Sequence, residues 1–306
     1  MPTEKLSTIA KHQTAAPSAV TARLNQVMDQ FGTLTGGAMT AGQLLTVACS
    51  PEAELAQLRR LIEADPGLML RVLRVANSAF YGQARKVGSI DRAVAVLGID
   101  GVRVIAAAAC LDHALPRTPA TRELSGALQR HSLCCAVSAR IIARSTAPDF
   151  IGEAFISGLL HDIGCGLLML VDSERYVEMT QRRLAAMRAE GPLDTDAELQ
   201  EEHQAFGITQ WEATTTLANQ WKLPEWLAAS LTRDGRAVAD GGARQPLADC
   251  VRWSESLAPE LGYPNDFQAG MLVCGPTDTP LGEDLLQQVV EKAPADIDEL
   301  RGALAP

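Results

Sequence analysis

His161 and Asp162 stand side by side in Gly158-Leu159-Leu160-His161-Asp162-Ile163-Gly164, inside the most apolar stretch of the chain. An ionised aspartate among such neighbours is costly unless it is paired or bound to a metal. On a continuous helix, adjacent side chains project about 100° apart, so both can face one site. His131 lies three residues after Leu128 and four before Cys135, which sets it on the inward stripe of its own helix. Two imidazoles and a carboxylate suit a divalent ion, imidazole favouring transition metals and carboxylate being accepted by most. A metal held there acidifies a bound water and yields a nucleophile for phosphate-ester hydrolysis. The competing reading is a buried His–Asp hydrogen-bond network that stiffens the core. Spacing alone favours that second reading, since His-Asp dipeptides are common.

Cys134, Cys135 and Cys165 fall near His131 and His161 in the sequence pattern. A redox or soft-metal role competes with buried, inert thiols, and inert thiols are expected. The 7 cysteines show neither a disulfide-scaffold spacing nor a CxxC pair.

Helices must position these groups. Apolar residues recur at three and four along the chain, aromatic residues are only 4%, and alternating β-branched runs are missing. The first clear helix is predicted from Glu52 to Ala64, with Leu55, Leu58, Leu61 and Ile62 on its apolar face. Asp65-Pro66 ends it and starts the next, which carries Leu68, Leu70, Val72, Leu73 and Val75 to about Ser78. Ser89 reads as the N-cap of Ile90–Leu97 and Gly98 as its stop, followed by a helix over 101–115 closed by Pro116. A long helix spans about 119–144, and 154–171 reads as one central, buried helix. Amphipathic or split helices are expected over 174–188, 194–206, 209–221, 224–232, 246–261 and 281–304, with a loop from Arg233 to Gln245. Asp65, Asn77 and Ser78 read as helix-end residues rather than a recognition patch, Asn77 bonding backbone in the turn to Tyr81-Gly82. Trp211, Trp221, Trp226 and Trp253 read as core or interface residues. The fold class is all-α.

Composition narrows the function. The chain has 306 residues, 47% of them hydrophobic, and a formal net charge of −10. No cationic face of the kind that tracks a phosphate backbone is visible, which argues against direct nucleic-acid binding. Mean hydropathy is +0.02, and no uninterrupted apolar run of about 18 residues occurs, so no membrane insertion is expected. The first residues lack the apolar middle of a signal peptide, and a cytoplasmic location follows as the expectation.

The segment around His161-Asp162 resembles the signature of the HD metal-dependent phosphohydrolase superfamily. Leu61-Ile62-Glu63-Ala64-Asp65-Pro66-Gly67-Leu68, then Leu73-Arg74-Val75-Ala76-Asn77-Ser78-Ala79-Phe80-Tyr81-Gly82, Ile90-Asp91-Arg92-Ala93-Val94 and Leu97-Gly98-Ile99 resemble the HDOD family of HD-related output domains. Phe206-Gly207-Ile208 and Trp221-Lys222-Leu223-Pro224-Glu225 match its later pattern, so the resemblance covers roughly residues 30 to 260.

The resemblance implies a metal set of His131, His161, Asp162 and, in Trp253-Ser254-Glu255-Ser256-Leu257, Glu255 in place of the usual final Asp. It implies two packed helical lobes: residues 20–115, particular to HDOD, and 116–306, a degenerate HD-type core, after a flexible tail at 1–19. Three positions depart from the pattern. Gln210 stands where the family often has His, Thr232-Arg233-Asp234 where many relatives carry a His-His pair, and Cys165 where catalytic relatives have Lys. The family is generally regarded as non-enzymatic. The expected function is therefore a bacterial signal-transduction protein that binds other signalling proteins in trans, in motility, stress or cyclic-dinucleotide pathways, with no catalytic residues and no cofactor. The alternative is a phosphohydrolase or phosphodiesterase using a divalent metal such as Fe, Mn or Zn. A small-molecule sensor using a crevice between the lobes is a third reading.

Overall fold

The computed structural model describes residues 22, 36–50, 52–78, 81, 86–190, 195–231, 245–264 and 281–304. Among these every regular element is helical and no strand occurs. The expected tail at 1–19, the positions Thr232-Arg233-Asp234 and the loop from Arg233 up to residue 244 lie outside the described residues.

The N-terminal helices are α1 (Gly36–Cys49), α2 (Leu55–Glu63), α3 (Pro66–Ala76) and α4 (Ile90–Ala114). Helix α1 escapes the sequence reading because its buried stripe, Ala41, Leu44, Leu45 and Ala48, is hidden among Gly, Thr and Ala. Helix α3 begins as the sequence demands: the Asp65 carboxylate accepts from the amides of Gly67 and Leu68 at 2.8 and 3.1 Å, and Pro66 fills the first turn. Leu68, Val72 and Val75 are buried on one stripe, whereas Leu70 is 59% exposed and Leu55 of α2 is 44% exposed. Leu55 was expected on the apolar face of its helix. Leu70 sits two residues from Leu68, about 200° around the helix, and so on the opposite face. Asn77 bonds the carbonyls of Leu73 and Val87 and accepts the Val87 amide, so it ties to the backbone just ahead of α4 rather than to the turn at Tyr81. In α4 the Ser89 hydroxyl caps the first turn, and Gly98, at φ 63 and ψ −173, breaks the helical path where the sequence predicts a stop.

The following helices are α5 (Arg122–Thr146), α6 (Ile151–Leu160), α7 (Ile163–Val171), α8 (Ser173–Glu190), α9 (Thr195–Phe206), α10 (Gln210–Gln220), α11 (Glu225–Leu231), α12 (Gln245–Leu257) and α13 (Glu283–Leu304). Helix α5 is the hub, packing on α6, α12 and α13. The single central helix expected over 154–171 is instead two, α6 and α7, with His161 and Asp162 in the turn between them. Periodicity could not expose this break, because both halves are almost wholly apolar and share no polar face to reset.

The turn after α4 falls at Leu115–Pro116, where the lobes are expected to divide, yet one buried cluster runs from Ala41 to Leu304 across it. Helix α4 packs on α1 and α3 on one side and on α6 and α7 on the other, so it is the wall both groups of helices share. The segments Ile90–Ala114 and Pro148–Val171 are long and apolar enough to cross a membrane by length and composition. The second is 94% buried in the core and is interrupted by the His161-Asp162 turn.

Candidate metal centre

Four elements converge on the turn between α6 and α7. Helix α5 supplies His131 and, one turn later on the same face, Cys135. The turn supplies His161 and Asp162, and α12 supplies Glu255. The approach of α6 to α5 depends on Gly158: a Cβ there would lie 2.8 Å from the Cys135 carbonyl oxygen and 2.9 Å from Ala136 Cα. Gly164 does the same between α7 and α10, where a Cβ would lie 2.0 Å from the Gln210 carbonyl oxygen.

All four residues expected at the site are brought together. Asp162 Oδ2 lies 3.0 Å from His161 Nε2 and 3.7 Å from His131 Nε2, and Glu255 Oε1 lies 3.3 Å from His161 Nε2. The imidazole rings are 5.3 Å apart between centroids. The buried His161 Nε2 meets the two carboxylates as ion pairs. Both Nδ1 atoms face backbone carbonyls, His131 towards Tyr263 at 2.9 Å and His161 towards Gly158 at 2.7 Å. A carbonyl oxygen only accepts, so each Nδ1 carries a proton and donates it. That is the orientation in which metal-binding histidines are held, with Nε2 turned to the centre.

Burial acts differently on the two rings. Burial and the neighbouring His161 hold His131 below the ordinary histidine value, so it stays neutral. Burial also opposes charge on His161, but Asp162 and Glu255 outweigh it and push the imidazole up to about 9. The donor set fits a metal. Bonds of about 2.0–2.2 Å to N and O place neighbouring donors roughly 3.0–3.5 Å apart, against observed separations of 3.0, 3.3 and 3.7 Å.

Two contributors were not legible as site residues. Cys135 Sγ lies 3.5 Å from His131 Nε2, although inert thiols were expected there. Tyr263 acts through its backbone carbonyl, which leaves no signal in a sequence. Cys165 does not reach the centre; its thiol donates to Gln210 Oε1 at 2.9 Å, so two of the departures from the family pattern are partners of each other. Gln210 in turn donates its backbone amide to Glu202 Oε2 at 2.9 Å, and Glu202 pairs with Arg183. Arg183 also donates to the Glu198 carbonyl and to Glu201, and it is 1% exposed although its helix reads as an outward-facing amphipathic one. Trp221, Trp226 and Trp253 pack against the core as expected.

A family model described as HDOD domain matches residues 38–235. The cyclic di-GMP phosphodiesterase CdgJ of Vibrio cholerae is 25% identical over 222 residues, covering 71% of this chain and 45% of that protein. The chain spans less than half the length of the curated relatives it matches. A protein of Marinobacter aquaeolei provisionally assigned to signal transduction has the same fold, with a TM-score of 0.65 at 21% identity over 96% of this chain and 68% of that one. An HDOD domain protein of unknown function from Geobacter sulfurreducens gives a TM-score of 0.61 at 20% identity, over 93% of this chain and 98% of that one.

Proposed function

Because the chain belongs to the HDOD domain family, we propose that it is a signal-transduction module that works by docking on other signalling proteins in trans, without turnover. The observation that carries this reading is the closure of the centre. Only 2% of the His131 side chain, 5% of His161, 3% of Asp162 and 9% of Glu255 meet solvent. A phosphodiester has to touch a metal-bound nucleophile to be cleaved, and a set of donors buried this far offers it no face. The formal charge of −10 supports protein partners over nucleic acid.

The second reading is a metal-dependent phosphohydrolase. It is favoured by Glu255, which reaches His161 and completes a set of two imidazoles and two carboxylates, and by the name of the Vibrio cholerae relative. In that reading His131, His161, Asp162 and Glu255 hold the ion, and the ion acidifies a bound water. The carbonyls of Tyr263 and Gly158 fix the two rings with Nε2 inward.

Hydrolysis of cyclic di-GMP and of bis(p-nitrophenyl) phosphate, measured with Mn²⁺, Fe²⁺ or Zn²⁺ added, separates the two readings. Docking without turnover predicts rates equal to those of the His161→Ala variant. Turnover by the wild type that His161→Ala abolishes overturns it in favour of the hydrolase.

A further inference from the structure

We infer that Cys135 is a metal ligand, and that it joins His131 and His161 in a buried zinc site. The inference rests on the buried, closed centre of the proposed function and states what that centre holds.

Position comes first. Cys135 follows His131 by four residues on α5, so the two donors lie one above the other on a single helix face, the spacing by which helices present paired zinc ligands. Single ligand atoms of Cys135, His131 and His161 lie within 4.8 Å of one another, and all three residues are buried. The separation of Sγ from His131 Nε2 is 3.5 Å. Tetrahedral bonds of about 2.3 Å to sulfur and about 2.05 Å to nitrogen set those two donors roughly 3.6 Å apart. Asp162 Oδ2 stands against both imidazoles, at 3.0 and 3.7 Å. Glu255 follows as an outer carboxylate, 3.3 Å from His161 Nε2.

A second, independent observation points to a ligand. His161 Nε2 is buried and is aimed at this cluster, while its Nδ1 is spent on the Gly158 carbonyl. The ring is thus fixed in the core with its Nε2 turned to two carboxylates, 3.0 and 3.3 Å away, rather than to solvent.

The donor chemistry selects the ion. A thiolate beside two imidazoles suits Zn²⁺, whereas Mg²⁺ and Mn²⁺ prefer all-oxygen surroundings. On binding, the Cys135 thiol gives its proton to solvent and forms the S–Zn bond. The thiolate and the Asp162 carboxylate then cancel the charge of the ion, which lowers the cost of burying it.

The test uses the whole chain, stripped with a chelator and titrated with Co²⁺ as a spectroscopic stand-in for Zn²⁺. Expected are the strong visible bands of tetrahedral Co²⁺ together with near-ultraviolet thiolate-to-metal charge-transfer absorption. The near-ultraviolet band should vanish in Cys135→Ser, and Zn²⁺, but not Mg²⁺ or Mn²⁺, should displace the Co²⁺. Should that variant fail to fold, X-ray absorption of the Zn²⁺-loaded wild type still decides, through a sulfur neighbour at about 2.3 Å. Metal uptake without the thiolate band or the sulfur neighbour overturns the inference and leaves the docking reading intact. Absence of any uptake overturns it as well. Hydrolytic turnover by a thiolate-bound zinc protein would instead sink the docking reading and spare the ligand assignment.

Discussion

Replacing Gly164 with alanine tests whether the turn bearing His161 and Asp162 is held by backbone contact. A Cβ at position 164 would lie 2.0 Å from the Gln210 carbonyl oxygen, 2.5 Å from Thr214 Oγ1 and 2.8 Å from the Gln210 carbonyl carbon. Ordinary contact begins near 3.4 Å, so α7 and α10 have to part by about 1.4 Å at this point, and because the nearest obstacle is backbone no side-chain rotation relieves it. Overpacking of this kind costs about 1–3 kcal/mol. Moving α10 also strains the Cys165–Gln210 and Gln210–Glu202 hydrogen bonds, each worth roughly 1 kcal/mol. The better helix propensity of alanine returns at most about 1 kcal/mol. The expected net loss is about 2–4 kcal/mol. Equilibrium urea unfolding followed by far-ultraviolet circular dichroism measures it directly, with Gly302→Ala as the control. Gly302 lies on the exposed face of helix α13 with nothing within 4 Å of a new Cβ, and alanine there should stabilise by up to about 1 kcal/mol. The reasoning is refuted if Gly164→Ala unfolds within about 0.5 kcal/mol of wild type, the ordinary scatter of surface substitutions.

Asp65→Ala removes the acceptor for the amides of Gly67 and Leu68 at the start of α3 and should cost about 1 kcal/mol in the same assay. Arg183→Met leaves the fully buried Glu202 carboxylate without its cation and should cost about 3–5 kcal/mol; the double variant with Glu202→Gln should recover much of that loss, and no recovery would show that the pair is not the cause. Burial pushes the Cys49 thiol from 9.0 up to about 12. The folded state then keeps its proton where the unfolded chain gives it up. Its contribution is intact below pH 9 and falls by about 1.4 kcal/mol per pH unit as pH rises towards about 12. Cys49→Ala should therefore flatten the alkaline decline of stability between pH 9 and 11 by that slope, and an unchanged slope would show that the thiol ionises freely in the fold.

What the sequence made legible was what rests on local rules. The Asp65-Pro66 start of α3, the Gly98 kink in α4 and the inward stripe of α5 follow from capping, backbone freedom and the 3.6-residue period, and each stands where those rules put it. His131 could be set on the buried face because Leu128 and Cys135 mark that face on either side. The misses share a different cause. Arg183 reads as an exposed cation because its own helix is amphipathic; what buries it is Glu198, Glu201 and Glu202 on α9, whose approach nothing local encodes. Cys135 was visible but looked like any core thiol until His131 and His161 were found beside it.

The break between α6 and α7 explains why the Gly158–Gly164 segment has its particular form. The turn sets Asp162 Oδ2 at 3.0 Å from His161 Nε2 and 3.7 Å from His131 Nε2. A turn in the middle of an apolar core must be held from both sides, and the two glycines do this. Gly158 lets α6 seat on the backbone of Cys135 and Ala136, and Gly164 lets α7 seat on the backbone of Gln210. Because both contacts run backbone to backbone, a motion that lifts α6 off α5 or α7 off α10 has to part a helix pair rather than swing a side chain. Parted helices forfeit close-packed contacts along their whole length. The same clamps therefore assemble the donors from both sides, and it is on this mechanical ground that the proposed metal centre and the proposed docking function belong to one reading.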